Sequence, residues 1–292
     1  MNIIYFFSCC FFCQETSLEV SAAYGKVNGV VFFYLVPFRK EVALSNLTRC
    51  FPEKNPQWRK DILKKCYINL GIILFEILYF PKLKKDTLET FVSFENHHLV
   101  VQALQKGKGT FFISGHISNW ELTAFAYARM FRTHLNIVAK TQSNKFVNRK
   151  LNEYRELSGN EILETGSSLR SIFQKILQNE IVCFLVDQSA PPDYSVYSKF
   201  FNTRVSTFNG PAKMALKYQT ELLFAYGIRS KNYKYYITLE KIGYDDIKEY
   251  SEENIQKLTD RINEKLEGVI RKYPDQWLWV HRRFKHIKND SE

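Results

Sequence analysis

The segment Gly115-His116-Ile117-Ser118-Asn119-Trp120-Glu121 holds an imidazole and a carboxylate close together in this 292-residue chain. It follows the apolar run 110–114 (Thr-Phe-Phe-Ile-Ser), which reads as a buried strand between Gly109 and Gly115. A helix is predicted directly after it, over 119–130. In α/β sheets ligands bind beyond the carboxyl ends of strands, so a polar residue here is placed for chemistry. Inside one helix, residues five apart point in divergent directions. His116 and Glu121 therefore meet only if His116 lies in the loop and folds back over the first helical turn. Ser118 and Asn119 are helix-starting types that allow this. A carboxylate on one imidazole nitrogen fixes the tautomer, and the other nitrogen then takes a proton from a hydroxyl. That is the base-and-orienter pair of acyl transfer, with the substrate's own hydroxyl as nucleophile. Ser118-x-x-Glu121 also spells a capping box, and spacing alone does not choose between the two readings.

The elements that position this segment follow from periodicity. Trp58, Ile62, Cys66, Leu70, Ile73 and Ile77 recur at helical spacing, predicting a helix over 57–80 that Pro81 ends. Strands are expected at 135–140, 181–186, 222–228 and 235–242. Helices are expected at 145–157, 205–218 and 252–272. Strands alternating with helices give an α/β fold, a mixed central sheet flanked by helices. Residues 1–40 are set apart as an apolar helical segment that associates with a membrane, and 41–292 as one catalytic domain. The apolar runs 3–12 and 30–38 are too short for a clear membrane span and lack the flanks of a signal peptide. A buried helix and an interfacial anchor both remain open, and Arg39-Lys40 supplies the positive boundary expected at a membrane–cytoplasm junction.

The net charge of +11 points to a polyanionic partner: nucleic acid, anionic lipid or a phosphorylated ligand. A basic nucleic-acid-binding protein is the reading from a different class, since interleaved basic and aromatic residues bind single strands. No RNP, zinc-finger or helix-turn-helix signature supports it, and nucleic acid is not expected as a partner. The six cysteines do not form a disulfide framework. Cys10 and Cys13 make a CxxC without a second pair at zinc-ligand spacing, so no metal is expected.

His116-x-x-x-x-Glu121 resembles the HxxxxD/E motif of the glycerolipid and lipid A acyltransferases. The fuller string Gly-His-Ile-Ser-Asn-Trp-Glu resembles the lipid A biosynthesis (lauroyl/myristoyl) acyltransferase branch. Arg39-Lys40, Asn46-Leu47 and Phe51-Pro52-Glu53 resemble its "RR…NL…FPE" pattern. Asp187-Gln188 resembles an acidic turn after a strand. Phe200-Phe201, Ser206-Thr207 and Gly210-Pro211 resemble its "FFG…T…G" stretch, with Asn202 where the family carries glycine. The run 273–285, YPDQWLWVHRRFK, resembles the family's ending.

The resemblance implies transfer of a fatty acyl chain from acyl-ACP or acyl-CoA to a hydroxyl of a lipid A precursor, at the cytoplasmic face of the inner membrane, without cofactor. Other lipid acceptors, a lysophospholipid or a glycosylated phosphoinositide, fit the same chemistry. It implies His116 as general base and Glu121 as its partner. Arg155, four residues before Gly159, matches an Arg-x-x-x-Gly element and is a candidate for binding a phosphate or the developing oxyanion, with Arg149 as fallback. A solvated helix arginine is the plainer alternative. Asp187 is a candidate for positioning the site or binding the acyl carrier, and alternatively a simple turn residue. Arg282 and Arg283, beside Trp277, Trp279 and Phe284, are candidates for binding an anionic membrane surface or phosphorylated glycolipid. The alternative is a segment packed by its tryptophans.

Overall fold

The computed structural model describes residues 9, 11–13, 15–36, 38–165, 169–247 and 249–288. Helices α1 (Leu18–Leu35), α2 (Lys40–Cys50) and α3 (Pro56–Leu78) come first, followed by the short α4 (Lys85–Glu89). Then strands and helices alternate: β1 (Val92–Glu95), α5 (His98–Gln105), β2 (Thr110–Ser114), α6 (Trp120–Phe131), β3 (Asn136–Ala139), α7 (Lys145–Glu156), β4 (Glu161–Glu164), α8 (Leu169–Leu177) and β5 (Ile181–Leu185). The chain continues through β6 (Ser195–Phe200), β7 (Thr203–Phe208), α9 (Gly210–Tyr218), β8 (Glu221–Arg229), β9 (Tyr235–Lys241), α10 (Glu252–Lys272) and β10 (Ile287–Lys288).

The central sheet is mixed, as expected, with strand order β1-β9-β8-β2-β5-β3-β4. Among the described residues, its only antiparallel pairing is β8 with β9. β2 lies in the middle, parallel to β8 on one side and β5 on the other. It is therefore covered on both faces and reads as a continuous apolar run. Phe111 and Ile113 point into a core shared with α10, while Phe112 faces α6 with Tyr127 and Leu223.

The predicted helix over 205–218 is corrected. Residues Thr203–Phe208 form a strand and the helix begins only at Gly210. Thr203, Val205 and Thr207 are β-branched and suit a pleat. Pro211 fits the first turn of a helix, where its missing N–H costs nothing. β7 joins β6 and β10 in a small antiparallel sheet that the periodicity did not predict. Its β6–β7 turn places Phe201 (φ 47°) and Asn202 (φ 58°) in the left-handed region. Asparagine tolerates that conformation, so it replaces glycine here without breaking the turn.

Among the described residues, no helix is long and apolar enough to cross a membrane. Most of the apolar run 3–12 lies outside them. Helix α1 is capped by Ser17, whose side chain accepts a hydrogen bond from Val20 N. One side of α1 packs on α3, and its other side leaves Val20, Tyr24, Val27, Val31 and Leu35 exposed. Those positions recur every three or four residues and form one apolar stripe. The packed side depends on glycine. A Cβ on Gly29 would lie 2.5 Å from Ile68 Cα and 2.6 Å from Tyr67 O. Gly29→Val is expected to push α1 off α3, destabilising the chain by about 1–3 kcal/mol. A thermal melt checks this, and an unshifted midpoint contradicts the close packing.

Candidate active site

β2 and β5 are parallel neighbours, and Ser114 pairs with Leu185 at their carboxyl ends. Two residues further along each strand stand His116 and Asp187, side by side. Asp187 Oδ1 lies 2.7 Å from His116 Nδ1. Asp187 Oδ2 accepts from the His116 backbone N–H at 2.7 Å and from Trp277 Nε1 at 2.8 Å. Asp187 is 1% exposed. Burial alone would raise its carboxyl pKa, but the facing imidazole, the hydrogen bonds from His116 and the Trp277 indole outweigh this. They hold it well below the usual carboxylate range. An ionised acceptor on Nδ1 makes that nitrogen the N–H and leaves the lone pair on Nε2. Gly115 permits the approach, since a Cβ there would lie 3.2 Å from Asp187 Oδ2 and 2.6 Å from a Leu266 methyl.

The loop after β2 is clasped from outside the sheet. Leu278 N donates to His116 O at 3.1 Å, and Ser118 N donates to Gln276 O at 2.6 Å. Ser118 takes φ 48°, a conformation rarely seen away from glycine and asparagine. This turn aims His116 back over the helix start. The capping-box reading is corrected: Asn119, not Ser118, caps α6, accepting from Leu122 N at 2.9 Å. Its amide also donates to the buried Glu76 at 2.8 Å, and Glu76 accepts in turn from Tyr235 OH at 2.6 Å.

Glu121 was expected on an imidazole nitrogen, and that expectation is corrected too. Asp187 takes Nδ1, and the Glu121 carboxylate faces Arg155 in a fork, Nε to Oε2 at 2.8 Å and Nη2 to Oε1 at 2.5 Å. Burial acts to raise the Glu121 pKa, but the Arg155 guanidinium more than offsets it, and the net shift is downward. Trp120 links the two centres. Its Nε1 donates to Glu121 Oε1 at 3.1 Å, and its ring meets the His116 ring edge-on at 4.7 Å.

His116, Trp120, Glu121 and Arg155 line a cavity of about 230 Å³ between α6 and the sheet. Its walls are the alternate residues that face α6: Phe112 and Ser114, Ile137 and Ala139, Cys183 and Leu185, Ile237 and Leu239. The interior is thus largely apolar, with polar lining from Thr123, Lys140, Gln142 and Thr165 as well as from the residues around His116.

The sequence pattern of the family described as "Bacterial lipid A biosynthesis acyltransferase" matches residues 16–286. The chain belongs to this family. Similar proteins include the lipid A biosynthesis palmitoleoyltransferase of Escherichia coli (strain K12), 25% identical over 255 residues, covering 85% of this chain and 79% of the relative. A lipid A biosynthesis acyltransferase of Shigella flexneri matches to the same extent. Lipid A biosynthesis acyltransferase 2 of Shigella flexneri is 21% identical over 252 residues, 85% of this chain and 78% of its own.

In this acyltransferase the other residues singled out from sequence fall in different places. Arg149 is exposed, with Glu153 at 3.6 Å, and does not line the cavity. Arg282 is exposed as well. Arg283, expected at a lipid surface, is 0% exposed. It donates to Ser206 O at 2.8 Å, Thr207 Oγ1 at 2.7 Å and Gln188 O at 3.2 Å, holding the small sheet to the turn after β5. Burial pulls its pKa down to about 10. Trp277 and Trp279 are likewise buried, so the tryptophans of this segment pack into the protein.

Gln188 and His281 belong to the site although neither was singled out as a site residue. The two imidazole rings lie 5.0 Å apart, and Gln188 Nε2 is 3.3 Å from His116 Nε2 and 3.1 Å from His281 Nε2. Burial, then the neighbouring His116, lowers the His281 pKa to about 4, so this ring is neutral near pH 7. Asn46, part of the Asn-Leu pair noted in the sequence, donates to the carbonyls of Trp279 and His281 at 2.8 and 2.7 Å. Among the described residues, no group of three His, Cys, Asp or Glu side chains is arranged to hold a metal ion. Cys10 of the CxxC lies outside them.

Proposed function

We propose that this chain transfers a fatty acyl group from acyl-ACP or acyl-CoA to a hydroxyl of a lipid A precursor, with His116 as the general base. The observation that carries the reading is His116, held through Nδ1 by a buried carboxylate, at a largely apolar cavity. The acyl chain lies in that cavity with its thioester beside His116. The Nε2 lone pair takes the proton of the acceptor hydroxyl as the hydroxyl oxygen bonds to the thioester carbon. The tetrahedral intermediate then expels the thiolate, which recovers the proton from the imidazolium. Asp187 steadies the positive ring between these steps.

Glu121 acts at one remove, through the Trp120 indole that packs on His116. Arg155 has Nε and Nη2 committed to Glu121 and Nη1 to Asn152 Oδ1 at 3.2 Å, which favours a positioning role over the oxyanion role the sequence suggested. Arg149 and Arg282, both exposed, add positive charge for an acidic carrier or a phosphorylated acceptor. The enzyme rests on the cytoplasmic face of the inner membrane, with the exposed stripe of α1 in the interfacial layer.

The test is to incubate the purified chain with an acyl-ACP and a phosphorylated diglucosamine acceptor and read the product by mass spectrometry. One added acyl group is expected, and His116→Ala is expected to slow its formation about a hundredfold or more. Undiminished turnover by that variant overturns the role of His116. No acylated product with either ACP or CoA donor overturns the reaction.

A further inference from the structure

The base proposed for acyl transfer is not open. A single side-chain nitrogen, Gln188 Nε2, sits 3.3 Å from the His116 nitrogen that must accept the proton. The same nitrogen sits 3.1 Å from His281 Nε2. With Asp187 on Nδ1, His116 carries its proton there and presents a lone pair at Nε2. His281 is neutral and can present its own. An amide NH₂ has two hydrogens, and two ring lone pairs converge on it. The match is complete, and it covers the lone pair that a hydroxyl or a water molecule needs.

The backbone at this position is fixed while the side chain is not. Gln188 O accepts from the buried Arg283, and Ser189 bridges to Thr207 in β7. The Gln188 residue itself is exposed and lines the cavity. Its amide can therefore swing aside without disturbing the fold.

We propose that Gln188 is a removable cap on the catalytic base, displaced by the acceptor hydroxyl but not by water, so that the bound thioester is transferred and not hydrolysed. The proposal rests on the acyl-transfer reading above. Its logic is one of competition. Water offers His116 only the hydrogen bonds that the amide already offers. An acceptor lipid brings binding energy from its remote parts, which offsets the exchange. With the cap missing, water gives a proton to His116 Nε2 as its oxygen bonds to the thioester carbon. The C–S bond then breaks and the thiolate takes the proton, leaving a carboxylic acid and a free thiol. His281 is the second anchor that keeps the amide over His116.

The experiment measures thiol release from acyl-ACP by the full chain, with and without acceptor. Wild type is expected to release little thiol alone and to transfer efficiently with acceptor. Gln188→Ala is expected to raise acceptor-independent hydrolysis about tenfold, as loss of one neutral hydrogen bond to the base and of its anchor on His281 allows. Gln188→Asn, one methylene shorter, should fall between. The double variant His116→Ala/Gln188→Ala should lose the gain, because the cap acts through His116. A merely structural role for Gln188 predicts parallel falls in transfer and hydrolysis, and that result in both single variants overturns the proposal. Normal wild-type transfer with unraised hydrolysis in Gln188→Ala overturns the cap alone. Absence of wild-type transfer overturns the acyl-transfer reading and the cap with it.

Discussion

Asp187→Asn is expected to lower turnover about a thousandfold while leaving the protein folded. The argument is atomic. Asp187 Oδ2 receives two N–H groups, from the His116 backbone and the Trp277 indole, whereas Oδ1 receives one, from the imidazole. An asparagine oriented to keep its oxygen under the two fixed donors must turn its NH₂ toward Nδ1. That NH₂ donates where the carboxylate accepted, so Nδ1 loses its hydrogen and Nε2 gains it. The ring is then in the tautomer that cannot take a proton from a hydroxyl. Charge adds to the effect, because the buried anion that steadied the imidazolium is gone. Steady-state rates together with a thermal melt check this: a large fall in kcat with a small shift in midpoint is expected. A rate within threefold of wild type contradicts the assignment of Asp187 as the residue that orients the base.

The second large effect concerns stability. Arg155 and Glu121 are both largely buried and meet through a two-pronged ion pair. Removing one partner leaves the other charge without compensation, whereas replacing both leaves none. Arg155→Ala is expected to destabilise the chain by about 3–5 kcal/mol, since Glu121 is then a lone buried carboxylate. The pair Arg155→Met/Glu121→Gln is expected to recover most of that loss. Urea unfolding of the two variants beside wild type makes the comparison. If the single and double variants unfold together, the fork does not hold this part of the molecule. Activity should not return with stability, because the glutamine offers Trp120 Nε1 a weaker, uncharged acceptor.

These two residues also show what the sequence made legible. The strand, the glycine, the loop histidine and the following helix all follow from local pattern, and they fall where expected at 110–131. Helix α10 matches its predicted span because amphipathic periodicity over 21 residues has no competing reading. The partner of His116 was a different matter. Glu121 is five residues away and Asp187 is 71, yet Asp187 is adjacent because β2 and β5 are parallel with Ser114 opposite Leu185. Register between distant strands leaves no trace in one chain's local pattern. The strand end at Asp187 was visible, but the strand beside it was not. The basic-aromatic segment at 277–285 misled in another way. Its composition suits a membrane surface, whereas Arg283 is buried among carbonyl and hydroxyl groups that satisfy it. The tryptophans of the segment are packed inside, while Arg282 and Lys285 stay exposed. The small sheet of β6, β7 and β10 escaped prediction because its strands are short and Thr203–Phe208 runs almost directly into a helix.

The clasp around His116 has a consequence for how the enzyme comes into being. Trp277, which steadies Asp187, is translated 90 residues after it, and Leu278 and Arg283 follow. The growing polypeptide therefore carries both members of the His116–Asp187 pair well before the indole that fixes them has left the ribosome. The same late stretch supplies His281 and the arginine that holds the Gln188 backbone. The held His116 and its contact with Gln188 thus depend on residues 277–283 having emerged, and a chain cut short before them lacks these partners.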